Sequence, residues 1–180
     1  MCSTLGANAV YTSEPYDAGF LGRIEELLPY SDENSIVFKV LMFTADRALH
    51  TRKIREWLAG GRHVICDRYF MSTVAYQGAE VSDGGEMLDW ARITNSPFEG
   101  LTDAVVYLDS DPQRAVERIR DRASRLRAYE KVEFLEKVRN NYIGEMKRFK
   151  GTKFTISADV GLETLKSESV KAVNGVIGRG

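Results

Sequence analysis

VICDRYFMSTVAYQG, residues 64–78, joins a short apolar run to an Asp-Arg pair and then to aromatic and hydroxyl side chains. Val64, Ile65 and Cys66 are too short a run for a helix and stop abruptly at charge, which reads as a buried strand. In open parallel α/β sheets ligands bind outside the carboxyl ends of the strands, so Asp67 and Arg68 stand where a site is expected. Taken alone, the dipeptide favours the plainer reading, a surface ion pair closing a strand.

Outward from this segment the chain alternates. Strands are predicted at Asn8–Thr12, His63–Asp67, Ala104–Asp109 and Lys153–Ser157, with helical patterns at 17–29, 35–59, 84–93, 111–127, 129–149 and 161–176. Such alternation predicts an α/β fold of three layers, a parallel sheet flanked by helices. The pattern at 35–59 runs into Gly60-Gly61, where a helix cap is expected before the chain re-enters the sheet. With 180 residues, 43% of them hydrophobic, and no break in composition, one domain over 1–180 is expected.

Charge and cysteine content narrow the partners. A net charge of -1 and a pI near 6.2 give no overall footprint for nucleic acid or an anionic membrane. No window approaches a membrane-spanning length, and MCSTLGANAV lacks the basic start and apolar core of a signal peptide. Cys2 and Cys66 cannot form a disulfide framework, so a cytoplasmic location is expected.

Three constellations carry possible chemistry. In LMFTADRALH, residues 41–50, Phe43 and Arg47 are four residues apart and share a helix face; they are either core and its solvated neighbour, or an aromatic plate beside a guanidinium that could stack on and hydrogen-bond a planar base. In the opening segment, an acidic residue at a strand end can manage Mg²⁺ or its waters, and the adjacent Arg can hold a phosphate through two bonds. Tyr76 and Gln77 lie about two and a half turns further on if a helix follows. RIRDRASRLRAYE, residues 118–130, has Arg at 118, 120, 122, 125 and 127; it is a solvated face or a flap that closes on transferring phosphates.

In chain order, TSEP (12–15), LMFTADRALH (41–50), DRYFMSTVAYQG (67–78), VVYLDSDPQRAVERI (105–119) and AYEKVEFLEKVRNNY (128–142) resemble the successive signatures of thymidylate kinase over nearly the whole chain. The resemblance implies a P-loop nucleoside monophosphate kinase fold, transfer of the ATP γ-phosphoryl group to dTMP, dependence on Mg²⁺, and a homodimer. By motif matching, Glu14 would belong to the acceptor site, Phe43 would stack on thymine and Arg47 would contact its carbonyl. Arg68 would hold the acceptor phosphate, with Asp67 governing Mg²⁺ through water. Thr73, Tyr76 and Gln77 would frame base and sugar, and Arg122, Arg125 and Arg127 would neutralise charge from a lid at about 118–130. Tyr129 and Glu130 would stand at the base of the cleft.

Two departures qualify the match. Ser13 occupies the place where the family usually has an Arg before Glu-Pro. No GxxxxGK[ST] occurs in the sequence, so the expected fold lacks the family's first strand, P-loop and first helix, and ATP binding by this chain is doubtful. The sheet would then have a gap between the strands at 63 and 104. Two expectations follow: a dTMP kinase chain set out without its ATP-binding amino terminus, or a non-catalytic relative that keeps a nucleotide pocket or a dimer face. The intact acceptor-side set favours the first.

Overall fold

A computed structural model of the chain describes residues 8–17, 33–81, 84–122 and 131–178. The expected helix at 17–29 lies outside them apart from its first residue. The described residues fall into two compact units, within Cys2–Leu101 and within Thr102–Gly180.

The first unit is built from β1 (Ala9–Ser13), α1 (Glu33–Ala59), β2 (His63–Asp67), α2 (Phe70–Glu80), α3 (Gly84–Asn95) and a 3-10 turn (Ser96–Leu101). β1 and β2 run parallel in a register from Ala9 opposite His63 to Ser13 opposite Asp67, which brings both carboxyl ends to one edge. Val40, Val74 and Ala91, from the three helices, form the buried centre, with Leu88 and Trp90 packed against it. Trp90 is therefore a packing residue. α2 buries Phe70, Met71, Val74 and Ala75 along with Thr73 and Gln77. Its existence was only conditional in the sequence, because DRYF offers no capping side chain: Tyr69 at the cap position makes no side-chain bond to the helix.

The turn after α1 follows from its glycines. Gly61 takes φ 72°; its N–H donates to Leu58 at 2.9 Å, and the N–H of Arg62 donates to Trp57 at 3.1 Å. This pair of bonds is a Schellman cap, which needs a left-handed residue at the position of Gly61.

The second unit comprises β3 (Ala104–Asp109), α4 (Pro112–Arg122), α5 (Val132–Arg148), β4 (Thr152–Ser157) and α6 (Leu162–Ile177). β3 and β4 are parallel, Ala104 opposite Thr152 through Asp109 opposite Ser157. SDPQRA starts α4: the Asp111 carboxylate accepts from the N–H groups of Gln113 and Arg114 at 3.0 and 3.2 Å, and proline fills the first helical position. At the end of β3, Arg139 donates through Nε and Nη2 to the two oxygens of Asp109, both at 2.7 Å. These bonds hold the Asp109 carboxyl below the usual carboxylate range, although burial pulls it the other way. Tyr107 stacks on Tyr142 at 5.3 Å, and burial together with Asp109 pushes its hydroxyl well above the usual phenol value.

Among the described residues, β2 pairs along one edge, with β1, and β3 along one edge, with β4. Val64, Ile65 and Cys66 are only half-buried, unlike strands covered on both faces.

Two predictions follow. Gly61→Ala forces a side chain into the left-handed region and should cost about 1 kcal/mol. Gly60→Ala, whose added carbon meets only ordinary contacts 3.4 and 3.5 Å away, should be close to neutral in the same denaturant titration. The second concerns pH: Asp109 titrates lower folded than unfolded, so its contribution is complete above the ordinary value of 3.8 and is lost as the pH falls through the lower folded value. Asp109→Asn should cost about 1 kcal/mol at neutral pH and flatten the acid limb of the stability curve, the partial exposure of Arg139 keeping the figure small.

Candidate functional site

The carboxyl ends of β1 and β2 and the facing side of α1 gather most of the residues singled out in the sequence. Immediately after β1, Glu14 turns inward and is buried, as are Arg47 and His50 on α1. Arg47 Nε and Nη2 donate to Glu14 Oε2 at 2.8 and 2.6 Å; Nη2 also donates to Thr73 Oγ1 at 3.0 Å, and Nη1 donates to Asn95 Oδ1. Four of the five guanidinium N–H groups thus have protein acceptors among the described residues. One Nη1 proton remains.

The spacing of Arg47 and His50 explains why both reach Glu14. Three residues apart on a helix, they lie on one face, and His50 Nδ1 stands 3.1 Å from Glu14 Oε1 while its Nε2 is 2.8 Å from Thr12 Oγ1 on β1. Asp46, also buried, accepts the N–H groups of Tyr16 and Asp17 at 2.6 and 2.9 Å. Three side chains from about one turn of α1, Asp46, Arg47 and His50, therefore pin the chain segment after β1. Asn95, at the end of α3, donates through Nδ2 to Ala91 O at 2.8 Å and leaves its carbonyl for Arg47 and Thr44. Among the described residues no buried side-chain nitrogen or oxygen lacks a partner.

The end of β2 differs in character. Asp67 and Arg68 are exposed. Arg68 has φ 64°, a left-handed conformation uncommon for a residue with a Cβ, and its guanidinium lies 5.3 Å from the Tyr76 ring centre. Two bonds support this turn: the Cys66 thiol donates to Arg68 O at 2.9 Å, and Glu14 N–H donates to Asp67 O at 3.0 Å. Burial, then the nearby Glu14 carboxylate, pushes the Cys66 thiol up to about 12, so it stays protonated and unreactive at neutral pH. Tyr11 Oη donates to Asp67 Oδ2 at 3.2 Å. An exposed cation and carboxylate on a constrained turn, beside a half-buried aromatic, can hold an anion and a hydrated cation together.

The remaining sequence candidates divide. Phe43 is half-buried on α1, one turn before Arg47. Gln77 is buried and donates to Glu80 Oε1 at 3.2 Å; Glu80 in turn is bound by Lys39 at 2.6 Å. Ser13 ends β1, exposed, opposite Asp67. Arg122 closes α4, while Arg125, Arg127, Tyr129 and Glu130 lie outside the described residues. Sequence reasoning did not single out His50, Asn95, Thr12 or Asp46. The signal available for two of them was ADRALH, where Asp46, Arg47 and His50 stand within one turn.

Parallel strands flanked by helices, with the polar cluster at the strands' carboxyl ends, make up the fold of the P-loop nucleoside monophosphate kinases. The crystal structure of thymidylate kinase from Ehrlichia chaffeensis shares it at a TM-score of 0.65 and 22% identity, over 96% of this chain and 85% of that one. A family model described as thymidylate kinase matches residues 1–168, and on that match the chain belongs to the thymidylate kinase family. It is 35% identical to a probable thymidylate kinase of Staphylothermus marinus over 139 residues, 77% of this chain and 66% of the relative. Against a probable thymidylate kinase of Methanosarcina mazei it is 33% identical over 166 residues, 91% of this chain and 80% of that one. The chain thus spans about two thirds of the length of the first of these relatives and four fifths of the second.

The buried pair generates a stability prediction. Removing Arg47 leaves Glu14 buried without its main partner, so Arg47→Ala should cost about 3 to 5 kcal/mol in denaturant unfolding. The double change Glu14→Gln with Arg47→Met should recover much of that loss, because no uncompensated charge is left behind.

Proposed function

We propose that this chain binds dTMP as the phosphoryl acceptor of an ATP-dependent nucleoside monophosphate kinase reaction. The observation that carries this is the exposed Asp67-Arg68 pair on a constrained turn at the end of β2, beside a cluster that orients Arg47 next to Phe43. Arg68 receives the acceptor phosphate through its planar fork. Phe43 stacks on the thymine ring, and the remaining Nη1 proton of Arg47 meets a base carbonyl, with Thr73, Tyr76 and Gln77 framing base and sugar. Glu14 takes part by orienting Arg47. Asp67 is a single exposed carboxylate, which suits Mg²⁺ held through water and substrate phosphates; when bound, the ion neutralises phosphate charge.

The donor side does not fit in the same way. These 180 residues contain no GxxxxGK[ST]. The described residues therefore supply no Gly-rich loop whose N–H groups and Lys would cradle a triphosphate, and no step through ATP is assigned to them. Arg122, Arg125 and Arg127 are proposed to serve transfer rather than acceptor binding. The family likeness also supports a homodimer and a cytoplasmic location; among the described residues no helix is long and apolar enough to cross a membrane. The missing loop motif favours one second reading, a non-catalytic nucleotide-binding or dimeric interaction protein.

Binding and turnover separate the readings. Calorimetry should show dTMP binding to the 180-residue chain, weakened in Arg68→Ala by about 1 to 3 kcal/mol, with thermal stability little changed because the side chain is exposed. A coupled assay with ATP and Mg²⁺ should show no dTDP from this chain alone. Appending a strand, P-loop and helix from a relative should restore turnover if the chain is a kinase. Failure of that fusion to gain activity supports the non-catalytic reading, and absence of dTMP binding defeats both nucleotide readings.

A further inference from the structure

The base contact proposed for Arg47 leaves a second buried group of α1 without a role. His50 is 0% exposed, and both of its ring nitrogens are partnered. A carboxylate only accepts, so Nδ1–H donates to Glu14 Oε1, while Nε2 pairs with the Thr12 hydroxyl. Tyr16 covers one face of the ring, 4.6 Å between centres and 13° from parallel. The imidazole is thus fixed in tautomer, tilt and position by β1, by the segment after it and by its own helix.

That fixity reaches Arg47 through Glu14. The two carboxylate oxygens are divided, Oε1 facing His50 at 3.1 Å and Oε2 taking the Nε and Nη2 protons of Arg47. A carboxylate held at Oε2 alone can rock about that contact; a second contact at Oε1 sets its plane, against which the guanidinium, held also by Thr73 and Asn95, is aligned. A hydrogen bond to a carbonyl weakens steeply once its donor swings out of line, so small rotations at Glu14 matter at the Nη1 proton that has no acceptor among the described residues.

We propose that His50 is a positioning residue for nucleobase selection: acting through Glu14, it aims Arg47 so that a pyrimidine presenting a carbonyl is accepted over one presenting an amino group. The inference rests on the base-facing role of Arg47 proposed above. No bond is made or broken at His50, and no proton moves through it.

The test compares dTMP with the 5-methyl form of dCMP (dCMP below), which keeps the methyl group and carries an amino group in place of the 4-carbonyl, by calorimetry on the parent chain and on His50→Leu, His50→Asn, His50→Gln and Thr12→Val. The Asn amide nitrogen can replace Nδ1, whereas the Gln amide extends toward the position of Nε2. The parent should prefer dTMP. His50→Leu should lower the dTMP-to-dCMP affinity ratio about tenfold, through a lower dTMP affinity and with dCMP little affected. His50→Asn should keep most of the ratio and His50→Gln should not. A merely structural histidine would weaken both nucleotides alike and would not separate Asn from Gln. An unchanged ratio in His50→Leu, or equal loss in the Asn and Gln variants, overturns the proposal. A parent that binds both nucleotides equally, or neither, overturns the base-facing role of Arg47 and the inference with it. Where the His50 variants do not fold, Thr12→Val, which frees Nε2 with almost no change of volume, decides: a reduced ratio supports the proposal and an unchanged one defeats it.

Discussion

The buried pair of Glu14 and Arg47 is the constraint on which the first unit depends. Two ions at 4% and 2% side-chain exposure have given up nearly all their hydration, a cost of several kcal/mol each that only complete hydrogen bonding offsets. The structure meets that demand with side chains drawn from four elements: Thr12 on β1, His50 on α1, Thr73 on α2 and Asn95 on α3. Satisfying one buried guanidinium therefore fixes how three helices approach one strand end. The apolar centre of Val40, Val74 and Ala91 supplies attraction without direction, and the polar cluster supplies the direction.

A division of labour follows between interior and surface. Arg47 is held by protein partners and can be aimed; Arg68, exposed and extended over Tyr76, can meet a phosphate at little desolvation cost. The left-handed backbone at Arg68 places its side chain on the far side of a tight turn instead of continuing the strand. Arg47 is not interchangeable with Lys, since its bonds to Glu14, Thr73 and Asn95 use the planar fork.

All four strands and most helices were legible from periodicity, because apolar runs such as VVYLD and HVIC stop at charge and the α1 pattern stops at paired glycines. The paired ends of β3, Ala104 and Asp109, agree with the expected ones at both boundaries. α2 was less legible, since an aromatic stands at its cap and its apolar and polar residues are mixed. The 3-10 turn in SPFEGL was not foreseen, its local hydrogen bonding having no period to detect. At the site, Phe43, Arg47, Asp67 and Arg68 were singled out because they form short motifs. His50 and Asn95 were passed over because a buried polar residue is recognisable only by partners distant in sequence: 36 residues from His50 to Glu14 and 48 from Arg47 to Asn95.

The one-sided pairing of β2 and β3 bears on how the chain behaves in solution. Among the described residues each strand presents an outer row of backbone donors and acceptors without a neighbouring strand, flanked by half-covered Val64, Ile65 and Cys66 in one case and by an exposed Leu108 in the other. Neither strand has a proline, lysine or bulge of the kind that blunts an edge. Such rows are templates for other chains. Strand-by-strand pairing with another polypeptide is therefore open to each of these two strands wherever nothing else caps its edge.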